Sequence, residues 1–416
     1  MPNLLPVPGG SITSPRGFLA AAVHAGLKDG GAPDLALLVS QTACAAAGVF
    51  TQNRVRAAPV LYDEALLNER PGRLRGVVMN ARFANACTGD AGLAAAGAMA
   101  RAAESALQVP ARSVLVLSTG VIGVPLPLEL ITTGIAAAAP LVNPDGGVEA
   151  ARAIMTTDTR PKHLAVKVET AAGVVTVGGI AKGAGMIHPN MATMLAVLTT
   201  DAVVEVSHLQ DLLRRVTDRT FNAISVDGDT STNDTVLLLA NGASDVQLAR
   251  DLEGARAFDD AVLHVARELA LMIVRDGEGA TRFVEIVVGS ASTEGLARDI
   301  GRAIARSSLV KTALAGGDPN WGRILAAAGA AGFPIVPERI RLAVQRRAEG
   351  GGPDGEWLVL AQGGTPAPYD EAAATAVFAG PSICIRLDLG MGGAEATVWS
   401  CDLSEQYVRV NAHYRS

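Results

Sequence analysis

Aromatic side chains are scarce: Phe, Trp and Tyr together make up 4% of the chain. A core with so few rings has to be built from aliphatic layers, and small residues between them let backbones approach closely. Cysteine is rare too. Cys44, Cys87, Cys384 and Cys401 are scattered, with no C-x-x-C pair and no Cys/His ligand spacing. That argues against a disulfide scaffold and for a reducing compartment with small buried thiols. The histidines show no ligand spacing either, so no metal is expected, and no Ser-His-Asp triad can be assembled. The charge balance is only −6, without a basic stripe or aromatic interleaving, which excludes nucleic acid as a partner. The first ten residues, from Met1 to Gly10, lack the charged and apolar regions of a secretory signal. The Ala-rich stretches are too short, or too often broken by charge or Gly, to span a bilayer. The expectation is a cytoplasmic protein with no membrane partner.

What is present is a long, apolar-rich chain. With 416 residues, 49% of them hydrophobic, two or three domains are expected. Short β-branched runs alternate with Ala/Leu-rich helical patterns. Strands are expected at Val77–Asn80, Ser113–Ser118, Thr235–Ala240 and Thr281–Val288. Helices are expected at Ala91–Leu107, at Ser207–Thr220 with Ser207 as N-cap, and at Phe258–Asp276. Leu164–Val168 and Gly173–Val177 read as a hairpin. Ser382–Leu389 and Glu395–Ser400 read as another, turned by Gly390-Met391-Gly392-Gly393. The Gly-rich segment Ala348–Gly355 reads as a surface turn. No internal repeat is present. The mixture implies a layered α/β sandwich, not a regular βαβ repeat.

The run Lys182-Gly183-Ala184-Gly185-Met186-Ile187-His188-Pro189-Asn190-Met191-Ala192-Thr193-Met194-Leu195 is the most informative part of the chain. It places a hydroxyl, Thr193, directly after the small residue Ala192. A Thr hydroxyl is a poor nucleophile until a base removes its proton. If the Ala192–Thr193 bond breaks, Thr193 gains an α-amine, which titrates near pH ~8 in model peptides and can serve as that base. Attack of the hydroxyl on the Ala192 carbonyl would give an ester for water to open. In isolation, an Ala-Thr pair is more often an ordinary satisfied hydroxyl.

Other runs offer complementary chemistry. Thr119 and Gly120 follow an expected strand, where a Gly lets backbone N–H groups face a developing oxyanion, or simply turns the chain. Lys182 precedes its glycines, the reverse of a phosphate loop, so a nucleotide site is rejected. It is either a surface lysine or a cation for a substrate carboxylate. Glu278 stands between two glycines, as a solvated turn or as a holder of a substrate ammonium. Asp227, Asp229 and Asp234 do not form a calcium loop.

The whole chain, from Gly9-Gly10 to Ser416, resembles the ornithine acetyltransferase family, the self-cleaving glutamate N-acetyltransferases of arginine biosynthesis. The run from Lys182 to Leu195 carries most of that resemblance. Further family-like runs are Asn80–Ala86, Ser225–Asp234 and Gly317–Arg323. The resemblance implies an αββα-type sandwich like that of N-terminal-nucleophile hydrolases, with a smaller C-terminal α/β subdomain. It implies an α chain of residues 1–192, a β chain of residues 193–416 and a heterotetramer with two of each. Thr193 would be the nucleophile, and Thr119 and Gly120 the oxyanion hole. Thr156, Lys182, Thr193, Glu278, Asn411 and Ser416 would bind substrate. The substrates implied are N2-acetylornithine and glutamate, with no cofactor. Acetyl-CoA stays open as a second donor, since only some members use it. Two alternatives also stay open: a related self-processed aminopeptidase or amidohydrolase, and a non-catalytic binding sandwich.

Overall fold

The computed structural model describes residues 4–188, 194–248, 251–348 and 351–412. The chain forms two compact units. Unit 1 comprises residues 1–183, 190–221 and 230–273, and unit 2 residues 184–189, 222–229 and 274–416.

Unit 1 contains strands β1 (Leu4–Pro6), β2 (Phe18–Val23), β3 (Leu35–Phe50), β4 (Leu74–Asn80), β5 (Val114–Ser118), β6 (Lys162–Thr170), β7 (Gly173–Lys182), β8 (Leu195–Thr200) and β10 (Thr235–Ala240). Its helices are α1 (Ala58–Glu69), α2 (Gly89–Leu107), α3 (Leu128–Ala138), α4 (Gly147–Ala153), α5 (Val206–Arg219) and α6 (Leu252–Arg275). The strands follow the order β1-β6-β7-β8-β10-β3-β4-β5, with β2 paired to β3. Strand β3 joins two sheets. Its first half pairs with β2 and β4, its register slips between Val39 and Cys44, and its second half pairs with β10. The chain therefore folds back as two stacked layers.

Period-2 alternation assigns the faces. Leu35, Leu37, Val78, Val114 and Val116 pack against Ala96, Met99 and Ala100 of α2 and Ile131 and Ile135 of α3. The alternate residues Ala36, Leu38, Val77, Met79, Leu115 and Leu117 pack against Ile180, Leu195, Val197, Leu237 and Leu239 of the other layer. On the far side of that layer, Gly179 of β7 lies under Val265 and Leu269 of α6. The result is helix on sheet on sheet on helix, the αββα sandwich expected. The buried faces are mainly alanine and branched aliphatics, which is how the layers close with so few rings.

Unit 2 contains β9 (Ile224–Ser225), β11 (Phe283–Ala291), β12 (Arg341–Arg347), β13 (Pro353–Gln362), β14 (Thr365–Pro366), β15 (Ser382–Asp388) and β16 (Ala394–Cys401). They run in the order β14-β13-β12-β15-β11-β16-β9. Helices α7 (Glu294–Ala305), α8 (Ser308–Gly316), α9 (Trp321–Gly329) and α10 (Glu371–Phe378) supply Ile300, Ile304, Leu314, Ile324 and Phe378 to one core with Ile286, Val344, Ile385 and Val398. The other face is charged: Arg347 pairs with Glu285, and Arg386 with Asp388 and Glu395. A final helix, α11 (Glu405–Ala412), contributes no buried residue. This is the smaller α/β subdomain.

Most expected elements are present. Strands β4, β5 and β10 and helix α2 fall where the pattern puts them, and β6 and β7 form the expected hairpin. The surface turn expected over Ala348–Gly355 is shorter, because Pro353–Gly355 already belong to β13, and residues 349–350 lie outside the described set. Helix α6 starts earlier than expected, and β11 starts later and runs further. Two details differ. Ser207 lies inside α5; the N-cap is Glu205, whose carbonyl takes the Leu209 N–H at 2.9 Å. And β15 and β16 do not pair with each other. Both pair with β11, β15 in parallel and β16 antiparallel. The glycine-rich connection reverses the chain but passes over the end of β11, where Ser290 O accepts the N–H groups of Met391 and Gly392 at 2.7 and 3.0 Å. Alternation fixes which face is buried; it carries no information about which strand lies between.

Candidate active site

In unit 1 the register builds a row. Lys182, the last residue of β7, lies opposite Leu195, the first residue of β8, and Leu195 lies opposite Thr235 of β10. The side chain of Lys182 is buried, 3% exposed. Its Nζ donates to Thr156 Oγ1 at 2.8 Å and to Thr119 Oγ1 at 3.3 Å. Three residues expected from separate runs thus meet on one ammonium.

Asp158 organises this corner. Its carboxylate lies 2.6 Å from Lys162 Nζ and 4.0 Å from Lys182 Nζ. It also accepts the N–H groups of Gly183 at 2.7 Å and Thr156 at 3.0 Å. Burial pushes the Asp158 carboxyl up, but Lys182, Lys162 and the Gly183 N–H outweigh it and hold the group well below the usual carboxylate range. The acid is therefore ionised at neutral pH, and it fixes both lysines and the loop that carries Thr156. From sequence, Met155–Thr159 reads as a turn or a helix cap, with Thr156 a substrate contact only by the family resemblance. The missed signal was Asp158 and Lys162 at i, i+4.

Thr119 follows β5 and is 2% exposed, with its N–H on Asn80 O at 3.1 Å. Gly120 has φ +133°, and a Cβ there would fall 2.1 Å from the carbonyl carbon of Arg82. Only glycine fits between the two loops. Val121 N–H pairs with Arg82 O, whereas the Gly120 N–H has no hydrogen-bond partner among the described residues. Asn233 ties these loops together, donating from Nδ2 to Ala84 O at 2.6 Å and Ser118 O at 2.9 Å. The family-like run Asn80–Ala86 and Asn233, from the end of the run Ser225–Asp234, thus meet around the end of β5. The arrangement is a rigid turn with a buried cation beside it, suited to an oxyanion.

Unit 2 holds a second corner. The Glu278 N–H donates to Ala184 O at 2.8 Å, and a Cβ on Gly185 would fall 2.3 Å from Glu278 Oε2. Gly185 is what lets the carboxylate lie against the backbone. Asn411 Nδ2 donates to Glu278 Oε2 at 2.7 Å, so these two expected residues are also brought together. Asp227 accepts the N–H groups of Met186 and Ile187 at 2.5 and 2.9 Å, and the Tyr407 hydroxyl at 3.2 Å. Burial and then Asp227 push the Tyr407 phenol up, so it stays a donor. His188 Nδ1 lies 3.1 Å from Ser225 Oγ; burial, then Arg302 and Arg306, lower its pKa to about 4, so it is neutral. Among the described residues no group of acids, cysteines and histidines could hold a metal. Asp227 and Asp234 bind backbone N–H groups instead.

Ala192, Thr193 and Ser416 lie outside the described residues. The residue after Thr193 does not. The Met194 N–H donates to Asp234 Oδ1 at 3.0 Å, and Met194 O accepts from Thr235 N at 3.2 Å.

A family model described as the ArgJ family matches residues 19–416. The chain belongs to the ArgJ family. It is 48% identical over 413 residues to the arginine biosynthesis bifunctional protein ArgJ of Symbiobacterium thermophilum, covering 98% of this chain and 99% of that one. It is 45% identical over 403 residues to the protein of the same name from Thermotoga neapolitana, covering 97% and 99%. Among solved structures it is similar to the ornithine acetyltransferase of Mycobacterium tuberculosis complexed with ornithine, at 43% identity and a TM-score of 0.42, over 45% of this chain and 98% of that chain. Among the described residues of this ArgJ-family chain, no helix is long and apolar enough to cross a membrane.

Proposed function

We propose that this chain is a self-processing acetyltransferase of arginine biosynthesis that moves the acetyl group of N2-acetylornithine to glutamate through an ester on Thr193. The carrying observation is the Lys182 corner: one buried ammonium bonds both Thr119 and Thr156, at the strand row that leads into β8. ArgJ-family membership supports the reaction class.

In the first step Thr193 attacks the Ala192 carbonyl, the peptide C–N bond breaks, and water opens the resulting ester. An α chain ends at Ala192 and a β chain begins at Thr193, and two copies of each assemble. In the exchange, the Thr193 α-amine takes the hydroxyl proton as Oγ attacks the acetyl carbon. The oxyanion receives the Gly120 N–H and the Thr119 hydroxyl, whose oxygen is polarised by Lys182. The C–N bond to ornithine breaks, and ornithine leaves with a proton on its amine. The glutamate amine then attacks the ester and regenerates Thr193. Lys182 and Thr156 take a substrate carboxylate, and Glu278 with Asn411 takes an ammonium. Ser416 is a further substrate-binding residue in this reading. No cofactor enters this exchange, and acetyl-CoA is a second donor to be tested.

Denaturing mass spectrometry of the purified protein should show two chains split at Ala192–Thr193, and Thr193→Ala one full-length chain without acetyl transfer. Ornithine release should depend on glutamate and exceed simple hydrolysis. An intact wild-type chain, or hydrolysis outpacing transfer, would overturn this reading. Running the assay with N2-acetylornithine and with acetyl-CoA decides the donor range.

A further inference from the structure

Among the described residues, Met186 alone combines a long apolar side chain with a left-handed backbone, at φ +56°. Bulky L-residues avoid that region, and where one holds it something local enforces it. Burial is not the cause, because Met186 is 39% exposed. The cause is Asp227. Its Oδ2 takes the Met186 N–H at 2.5 Å and its Oδ1 the Ile187 N–H at 2.9 Å. Successive N–H groups turned to one side make a small anion-binding concavity, and here a carboxylate of the same chain fills it. The Asp229 N–H on Oδ1 and the Tyr407 hydroxyl on Oδ2, both at 3.2 Å, complete the set. Each oxygen has two donors, the capacity of a carboxylate, and a carboxyl proton would have to displace one of them. Burial pushes the Asp227 carboxyl up, and the three N–H groups oppose it.

The bent segment is what Glu278 lies against. Before the bend, Ala184 O accepts the Glu278 N–H at 2.8 Å, and only the missing Cβ of Gly185 admits the Glu278 carboxylate. After it, Ile187 O accepts the Val226 N–H at 2.7 Å. Met186 is the turn between these two ties. Tyr407 leads to the same carboxylate by another route: Asn411 Nδ2 donates to Tyr407 O at 3.1 Å and to Glu278 Oε2 at 2.7 Å. All of these residues belong to unit 2.

We propose that Asp227 is a positioning residue for the Glu278 carboxylate. It holds Met186 in the left-handed turn that lays Gly185 against that carboxylate, and through Tyr407 it holds α11, which brings Asn411 to Oε2. This rests on the reading of Glu278 as the holder of a substrate ammonium, and adds what fixes its orientation.

The test compares KM with kcat on the split enzyme, with glutamate varied. Glu278→Gln is the control. If its KM is that of the wild type, Glu278 holds no ammonium and the role of Asp227 falls with it, while acetyl transfer itself stands. If that KM rises, Asp227→Asn decides. One oxygen becomes an NH2 group, and two of the four donors lose their acceptor. KM should rise about tenfold, with kcat nearly unchanged. A wild-type KM in Asp227→Asn, or a loss confined to kcat, overturns the inference while leaving Glu278 in its role.

A second pair leaves the carboxylate untouched. Met186→Val makes the turn harder to hold, because β-branched residues are outliers there, whereas Met186→Gly removes its cost. Met186→Val should raise KM several-fold and Met186→Gly should not. Equal rises would mean that the Met186 side chain serves the site and its backbone does not. No rise in either would mean that the turn does not position Glu278. Both results overturn the inference. Combining Asp227→Asn with Met186→Gly should give a lower KM than Asp227→Asn alone, since glycine holds the turn without a carboxylate. If Asp227→Asn fails to fold or to split, the Met186 pair decides alone.

Discussion

The two corners carry opposite chemistry. At Lys182, two buried ammoniums share the Asp158 carboxylate, and hydroxyls complete the shell. At Glu278, two carboxylates, Glu278 and Asp227, are bonded by an amide, a phenol and backbone N–H groups. One corner is built around cations and the other around anions. The corners also differ in rigidity. The first is anchored in the sandwich, with Lys162 and Lys182 at 1% and 3% exposure. The second relies on α11, a helix with no buried residues.

The largest effects should come from the lysines, and should separate them. Lys182→Met removes the bonds to Thr156 and Thr119 but leaves Asp158 paired with Lys162. Acetyl transfer should fall about 10–100-fold, since a charge-assisted hydrogen bond is worth about 1.5–3 kcal/mol, with a smaller fall in unfolding midpoint than Lys162→Met gives. Lys162→Met breaks the shorter contact to the buried Asp158, where loss of one partner costs about 3–5 kcal/mol. Urea denaturation should show that loss of stability. If the two variants behave alike, the division between a binding and an anchoring lysine is wrong.

Glu278→Gln comes next. It keeps the shape and the bond to Asn411 but removes the charge proposed to hold a substrate ammonium. A charge-assisted hydrogen bond is worth about 1.5–3 kcal/mol, so KM for the amino substrate should rise about 10–100-fold with kcat less affected. Steady-state kinetics with glutamate varied would show it, and an unchanged KM would remove Glu278 from substrate binding.

The legible part of the molecule was the part written locally. Strand β5 and helix α2 follow from period and punctuation. Thr119 stands beside a glycine after an expected strand and Lys182 stands ahead of its glycines, and the family resemblance assigns both to a site. What sequence did not disclose was long-range. Asp158 is not singled out by the sequence, and its role depends on Lys182 arriving from β7. Asn233 bridges loops more than a hundred positions away. The insertion of β11 between β15 and β16 is equally non-local, because the side-chain pattern of β15 is the same whichever neighbour it has.

Asp63 is a control for Asp158. Both are buried, but Asp63 has only the Val116 N–H at 2.8 Å, and its Oδ2 has no partner among the described residues. Burial pushes its carboxyl well above the usual range, with the Val116 N–H opposing. A raised folded pKa gives stability that is complete below the unfolded value of about 3.9 and is lost as pH rises towards the folded value. Asp158 has the opposite sign: its contribution is present above about 3.9 and is lost only as pH falls towards its depressed folded value. Asp63→Asn should therefore gain on the wild type between pH 4 and 7, by about 1–3 kcal/mol. Asp158→Asn should be less stable than the wild type by a roughly constant amount over pH 5–8. Thermal melts across pH would read both, and parallel curves for Asp63→Asn and wild type would refute the contrast.

The smallest effect tests the softness of the second corner. Tyr407→Phe deletes one hydroxyl from Asp227, which keeps its bonds to Met186 and Ile187. The phenol is a neutral donor in a partly buried place, so the loss should be about 0.5–1.5 kcal/mol. Because α11 has no fully buried residue, that loss is a large share of what holds the helix. Two side-chain contacts and the Ser404 hydroxyl on Gly279 O, at 2.5 Å, are its main ties among the described residues. The variant should therefore unfold at nearly the wild-type temperature while amide exchange in residues 405–412 speeds up several-fold, since local opening costs only the contacts that are broken. A drop in global midpoint without faster local exchange would mean that α11 is part of the cooperative core, and that the two corners are equally rigid.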